Sequence, residues 1–273
     1  MKLGFLMMGP EFTHSAPITE GLMRQLRCRG IDVRPMVVEH QLIDIAMLRP
    51  EYDAYVLKPG SEILLSMAGI LHQQGARILN NFPACELVKD KIRVMAALAR
   101  AGVPVPFSFV SGDVGLVQRL YNTDVIVKDP RGGQGEGIHV YKKSELPPPR
   151  IKGGVFGQEH IATQHFDLKV YCIGEHVMAT RRPFPCVGPS DYIGTPTLVS
   201  KDIERLALTV GKVLGLEIFG MDIIEAEHGY FVVDVNYFPS FVGVLGAVET
   251  LTDYIYNFVV GKKTWAYAAP LVG

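Results

Sequence analysis

Three oxygen-bearing side chains near the C-terminal end, Asp222, Asp234 and Asn236, are spaced for work on a hard cation. Two β-rich runs, Met221 to Glu225 and Tyr230 to Asn236, flank a polar turn containing His228-Gly229, the pattern of a hairpin. Asp234 and Asn236 are two residues apart, so they leave the same side of their strand, and the antiparallel partner brings Asp222 alongside. Two carboxylates and a carboxamide suit Mg2+, with Mn2+ as a substitute, which takes few protein ligands and shares the rest with phosphates. The plain alternative is a charged, solvated strand face, but the strand is otherwise apolar and runs into Tyr237-Phe238-Pro239.

Cations recur at strand ends elsewhere. Lys128 closes the run Val125-Ile-Val-Lys and is followed by the glycine-rich stretch Gly132-Gly-Gln-Gly-Glu-Gly137. No helix opened by Lys-Ser/Thr follows, which excludes a P-loop, yet a hairpin turn with open backbone N–H groups can cover phosphates, with Lys128 as the point charge. Alone, such a turn is more often an ordinary one. Lys58 ends the Tyr55-Val-Leu strand before Pro59-Gly60, where open parallel sheets present ligand-binding groups; the alternative is a solvated loop lysine. Arg181 and Arg182 leave one strand in opposite directions, so at most one points into a cleft beside Asp222 and Asp234, and Arg182 is the choice.

These residues need a scaffold, and the chain supplies one in three segments, 1–82, 83–157 and 158–273. The first alternates strand and helix: strands at 2–8, 32–38, 54–57 and 77–79, helices at 16–29 and 62–74, which makes a small doubly wound βαβ domain. Its first strand is followed by Gly9-Pro-Glu-Phe-Thr-His-Ser15, which lacks the dinucleotide fingerprint, so no nicotinamide cofactor is assigned and the loop is free to face a substrate. The second segment carries a helix over 85–100, stopped by Gly102, Pro104 and Pro106, a strand at 107–110, and the glycine-rich hairpin. The third opens with 155–161 and a hairpin around Gly174-Glu175, then a Gly/Pro/Ser-rich loop at 187–197 that reads as a lid. A helix over 201–214 follows, whose Leu206, Val210, Val213 and Leu214 stripe is core packing. A helix over 251–260 closes the pattern as a structural element.

The whole-chain properties narrow the function classes. Lys+Arg 27 against Asp+Glu 28 in 273 residues leaves a net charge of -1, so no global field attracts nucleic acid or an anionic membrane. No apolar run has the ~20 residues of a membrane span, and the short apolar start reads as a first strand and not a signal peptide. A cytoplasmic location is the expectation. Cys28, Cys85, Cys172 and Cys186 are too scattered for a zinc site or a disulfide framework. His160, His165 and His176 share no metal-ligand spacing, and Pro147-Pro-Pro149 is a short connector.

The order of motifs carries a resemblance that no single one does. A βαβ domain is followed by Asp90-Lys91 with Ala101-Gly-Val-Pro-Val-Pro106, then Val127-Lys-Asp-Pro130 with the glycine-rich hairpin. Gln158-Glu-x-Ile161, Asp167-x-Lys-Val-Tyr-x-Ile-Gly174 and Gly220-Met-Asp222 with Asp234-Val-Asn-x-x-Pro239 complete the series. From about residue 2 to 260 this resembles the ATP-grasp superfamily. The resemblance implies an α/β and α+β fold with ATP held between the second and third segments. Lys91 and Lys128 match its phosphate-binding lysines, with Gly133 and Gly135 in the loop above. Gln158, Glu159 and Ile161 match the strand along the adenine; Asp222, Asp234 and Asn236 match the Mg2+ ligands; Arg182 matches the arginine at the transferred phosphoryl group.

Two branches compete within the superfamily. The 132–137 loop, Asp167 ahead of Lys169, and a βαβ domain leading into Asn80-Asn81 are similar to enzymes that add glutamate to ribosomal protein termini. Asp234 where such ligases usually carry Glu, Tyr237-Phe-Pro239, Lys58 and Arg182-Pro183 lean toward inositol-phosphate kinases. Against the kinase, Thr163 stands where that branch has a histidine, and no dense Lys/Arg cluster awaits a polyphosphate. The expectation is an ATP-dependent carboxylate–amine ligase working through an acyl phosphate on a small-molecule or peptide substrate. A hydroxyl kinase is the alternative and a non-catalytic nucleotide-binding module comes last, since the metal oxygens and phosphate lysines are all present. The oligomeric state, a homo-oligomer included, stays open.

Overall fold

The computed structural model describes residues 1–12, 16–58, 60–132, 138–144, 151–162, 166–183, 193–227 and 229–262. The first segment is strand β1 (Lys2–Met7), helix α1 (Ala16–Cys28), β2 (Asp32–Val37), β3 (Ala54–Leu57), α2 (Glu62–Gln73) and β4 (Ile78–Leu79). All pairings are parallel, in the order β2-β1-β3-β4. Leu3, Phe5 and Leu6 of β1 and all four residues of β3 are buried, as expected for strands covered on both faces. The chain leaves β1 for one side of the sheet and later crosses to the other, so the topological switch point lies between β1 and β3.

Helices α3 (Phe82–Val88) and α4 (Lys91–Arg100) replace the single helix expected over 85–100. The break is local chemistry: the Asp90 carboxylate accepts from the amides of Ile92 and Arg93 and starts a new helix. Gly102, with φ 74°, follows its end as the glycine signal required. The central sheet, order β5-β8-β6-β7, is antiparallel throughout: β5 (Ser108–Ser111), β6 (Val125–Lys128), β7 (His139–Tyr141) and β8 (Val155–Glu159). β8 runs unbroken from Val155 to Glu159 as part of this sheet. Helix α5 (Val114–Tyr121), absent from the expected elements, covers one face of this sheet by packing Val114 and Val117 on Val125 of β6. Asp113 caps its start and Asn122, at φ 48°, its end.

The third segment forms an antiparallel sheet in the order β11-β10-β9-β12-β13, from β9 (Phe166–Ile173), β10 (His176–Pro183), β11 (Thr195–Thr197), β12 (Ile218–Ala226) and β13 (Gly229–Tyr237). Part of the stretch read as a lid is thus the edge strand β11; residues 184–192 lie outside the described residues. Helices α6 (Lys201–Leu214) and α7 (Ala247–Val259) pack on this sheet, and Val210, Val213 and Leu214 enter the core while Leu206 is half-buried. Each such fully buried Val or Leu contributes about 1.5–3 kcal/mol relative to exposure.

One main core runs through the first and third segments, and a polar clamp fixes their registry. The buried Asn80 carboxamide accepts from the amides of Glu217 and Ile218 (2.8 Å each) and donates to the Ile218 carbonyl at 2.7 Å. It stands in for a strand pairing where β4 meets β12. Asn81 donates to the Gly215 carbonyl and caps α3. Among the described residues, no helix is long and apolar enough to cross a membrane.

Candidate active site

Strand alternation divides β9 cleanly. Leu168, Val170 and Cys172 enter the core; Asp167, Lys169 and Tyr171 leave the other face. Register then lines up a polar row across four strands: Arg182 of β10 opposite Asp167, Lys169 opposite Asp222 of β12, and Asp222 opposite Asp234 of β13. Arg182 grips Asp167 with two bonds, Nε to Oδ1 at 3.0 Å and an Nη to Oδ2 at 2.7 Å, and also reaches Asp222 Oδ1 at 3.0 Å. Lys169 Nζ lies 2.8 Å from Asp222 Oδ1 and 3.0 Å from Oδ2. Arg181 points away, stacks on Phe166 and pairs with the exposed Glu225.

Burial and charge compete in this row. Burial alone would raise the Asp222 carboxyl, but the Lys169 ammonium and Arg182 guanidinium outweigh it and hold it below the usual carboxylate range. Burial would likewise lower Lys169, and Asp222 turns the balance so that its ammonium is held above its ordinary value. The row is charged and internally neutralised.

Lys128 joins it from the central sheet. A β-bulge falls between Asp222 and Ile223, leaving Val233 without a register partner, and the Lys128 ammonium donates to the freed Val233 carbonyl at 3.1 Å. Burial lowers the Lys128 ammonium, with Asp234 and Asp222 pulling it back. Lys91, at the first turn of α4, donates through Nζ to the Gly132 carbonyl and through its backbone to the Pro130 carbonyl (2.9 Å), anchoring the start of the glycine-rich loop. Gly133 and Gly135 themselves lie outside the described residues, as do Thr163 and His228. A cavity of about 350 Å³ opens beside Lys128 and Asp129, lined by Ile92 of α4 and by Val110 and Phe156 of the sheet.

The expected adenine strand is less open than its motif suggests. Gln158 shares the Lys128 face of the central sheet, is buried, and donates to Ser108 Oγ at 3.0 Å. Glu159 spends both its carboxylate and its backbone N–H on Phe107, so it holds β5 to β8. Ile161 is half-buried beyond the strand end. Lys58 is not a solvated loop residue: it is 7% exposed, with its ammonium 5.6 Å from the Phe238 ring centre.

A nucleotide phosphate and its cation fit this donor set on two counts. Among the described residues, Lys128 has one of its three donors on a carbonyl and none on a carboxylate. Asp234 bonds the Asn236 amide at 2.9 Å and faces outward with it, offering oxygens to a hard ion that needs few from protein. Asp222 differs, because both its oxygens are already held by cations. No group of three or more His, Cys, Asp or Glu able to hold a metal occurs among the described residues; a cation at Asp234 and Asn236 would draw its other ligands from phosphate and water. Asp167 and Lys169, which the sequence reading used only as a family motif, are structural members of the row; the alternation 167, 169, 171 against 168, 170, 172 was the available signal.

Two antiparallel sheets meeting through a lysine and a carboxylate row, behind a parallel domain, are the frame of an ATP-grasp enzyme. The chain belongs to the RimK-like ATP-grasp domain family, whose model matches residues 88–249. It is 25% identical over 290 residues to a probable alpha-L-glutamate ligase 2 of Shewanella sp. (strain MR-4), covering 95% of this chain and 96% of that one. To a probable alpha-L-glutamate ligase 1 of Shewanella amazonensis it is 26% identical, covering 90% and 91%. Among solved structures it shares the fold of the D-cycloserine synthetase DcsG (TM-score 0.74, 15% identity, 95% and 100% covered). It also shares that of the ATP-grasp ligase PsnB solved with a precursor variant, Mg and ADP (TM-score 0.65, 20% identity, 93% and 98% covered). The ATP-grasp ligase expectation stands, and the hydroxyl kinase is not favoured.

Proposed function

We propose that this ATP-grasp ligase joins a substrate carboxylate to the amine of an amino acid, with L-glutamate as one of the two substrates. The glutamate ligase names of its sequence relatives support the second part. One juxtaposition carries the chemistry: Lys128 of the central sheet is bonded to the bulge beside Asp234, opposite a row in which Arg182 is locked by Asp167. Lys91 and Lys128 hold the phosphates. Asp234 and Asn236 would hold Mg2+ or Mn2+, which when bound neutralises charge on the phosphate oxygens, and Asp222 would join them only by giving up a bond to Lys169 or Arg182.

The carboxylate oxygen attacks the γ-phosphorus, the bond to ADP breaks, and an acyl phosphate forms. The amine then attacks the acyl carbon, gives up a proton as the C–N bond forms, and inorganic phosphate leaves. The protein's work is positioning and charge. Arg182 has lost its rotational freedom to Asp167 before substrate arrives, so its guanidinium meets charge developing on the transferred phosphoryl group without reorganisation. Lys169 keeps Asp222 ionised and oriented. ATP as substrate and the free thiols Cys28, Cys85 and Cys172 support a cytoplasmic setting.

Incubation with ATP, Mg2+ and a mixed panel of amino acids, hydroxy compounds and inositol phosphates, read by mass spectrometry, tests the reaction. Amide products with ADP and phosphate are expected, and hydroxylamine is expected to trap the acyl phosphate as a hydroxamate. Phosphorylated alcohols without amides would sink the ligase reading. Asp234→Ala is expected to abolish turnover with an unchanged melting curve; wild-type turnover would remove the metal assignment.

A further inference from the structure

The parallel sheet of the first segment carries a charge that the reaction above does not use. Lys58 follows Leu57, the last residue of β3, and its backbone N–H donates to the Leu6 carbonyl of β1 at 2.9 Å. It therefore stands at the C-terminal ends of β1 and β3, between which the strand order reverses. In open parallel sheets this crevice is where ligands bind. Met8 and Gly60 bound it closely enough that a Cβ on Gly60 would lie 2.2 Å from the Met8 Cγ.

The side chain is 7% exposed, and its ammonium meets the face of Phe238 and no carboxylate among the described residues. The acids at the same edge are committed elsewhere. Glu11 pairs with His40 at 2.7 Å, and Glu39 accepts from the Gly9 amide at 3.3 Å. Phe238 immediately follows β13, the strand that carries Asp234, and turns the chain out of it with φ 40°. An ammonium buried against one aromatic face and lacking an anion is costly to the folded state, and a bound anion relieves that cost.

We propose that the β1/β3 crevice is a subsite for a carboxylate of the substrate, received by Lys58 and remote from the carboxylate that is phosphorylated. This rests on the ligase reading and deepens it. The substrate is an extended molecule with a second carboxylate, and Lys58 sets its orientation through that distal end. Phe238 couples the subsite to the catalytic hairpin, because it stacks on Lys58 while its amide donates to the Ile218 carbonyl of β12 at 2.8 Å.

The test uses the full chain loaded with Mg2+ and ADP, so that anion sites at the nucleotide are filled. Acylation of Lys58 by a succinimidyl ester is followed by peptide mass spectrometry with glutarate, its uncharged diamide or inorganic phosphate present. Glutarate at four times its Kd is expected to slow Lys58 acylation about fivefold, with no protection by the diamide and less by phosphate. Glutarate is also expected to raise the Tm of the wild type and not that of Lys58→Met, whose Mg–ADP affinity stays within about twofold of wild type, under 0.5 kcal/mol. Absence of protection, equal protection by the diamide, stronger protection by phosphate, or an equal Tm rise in Lys58→Met would each overturn the subsite. None of these readouts uses ligation, so a failure of the ligase reading would appear separately, as no amide product from any substrate pair.

Discussion

Lys169 is largely screened from solvent on the catalytic row and Lys58 is buried at the edge of the parallel sheet, and their surroundings push them in opposite directions. Burial acts on both, but Asp222 at 2.8 Å reverses it for Lys169, whereas nothing opposes it at Lys58, which is lowered from 10.5 to about 8. That displacement corresponds to roughly 3 kcal/mol held against the folded state. The first lysine is neutralised by the fold and serves to organise it. The second meets no carboxylate among the described residues and is left for a partner from outside.

Removing the carboxylate from the first site is expected to have the largest effect. Asp222→Ala would leave Lys169 and Arg182 competing for Asp167 in a buried row, turning Lys169 into a second Lys58. The loss should be about 3–5 kcal/mol of stability, together with all ADP formation. Urea unfolding and an ADP-release assay check both, and a variant as stable as wild type would break the comparison.

Next in size is the pH dependence of Lys58. The unfolded chain keeps this lysine protonated to about pH 10.4, while the folded protein releases the proton near pH 8. Between those values the unfolded state holds the extra proton, so stability rises with pH across the window and the full penalty applies below it. Lys58→Met is therefore expected to exceed wild type by roughly 3 kcal/mol at pH 7, with the gap closing toward pH 10. Urea midpoints measured from pH 7 to 10 read this directly; parallel curves would show that Lys58 already has an anion. For Lys169 the sign is opposite: its favourable contribution is present at neutral pH and is lost as pH rises past its ordinary value.

The smallest effect sharpens the distinction from a third position. Lys128 bonds a carbonyl and not a carboxylate, so Lys128→Met should leave stability nearly unchanged and raise the KM for ATP about tenfold, some 1.4 kcal/mol. Steady-state kinetics with varied ATP would reveal it, and a large loss of stability with unchanged KM would assign Lys128 to the fold alone.

What could be read without the structure was what depends on near neighbours in the chain. The strand at Ala54–Leu57 and the helix at Lys201–Leu214 have the bounds their patterns indicated, and Asp234 and Asn236 share a face because two residues separate them. The helix break at Asp90 and helix α5 after Asp113 were not among the expected elements, although each helix starts at a capping aspartate. Other features join residues far apart in sequence. The Val233 bulge that receives Lys128, the three bonds of Asn80 to Glu217 and Ile218, the capture of Asp222 by Lys169 and Arg182, and the Phe107 partner of Glu159 all required three sheets to be brought into register.

The same division holds for the two lysines. Sequence alone determined that Lys58 directly follows an apolar strand and that Lys169 stands within one, because alternation and run length are local. Only the tertiary structure decided that one meets Asp222 and the other the ring of Phe238. Charge and burial depend on what lies within a few ångströms in space, and for both lysines those groups come from distant parts of the chain.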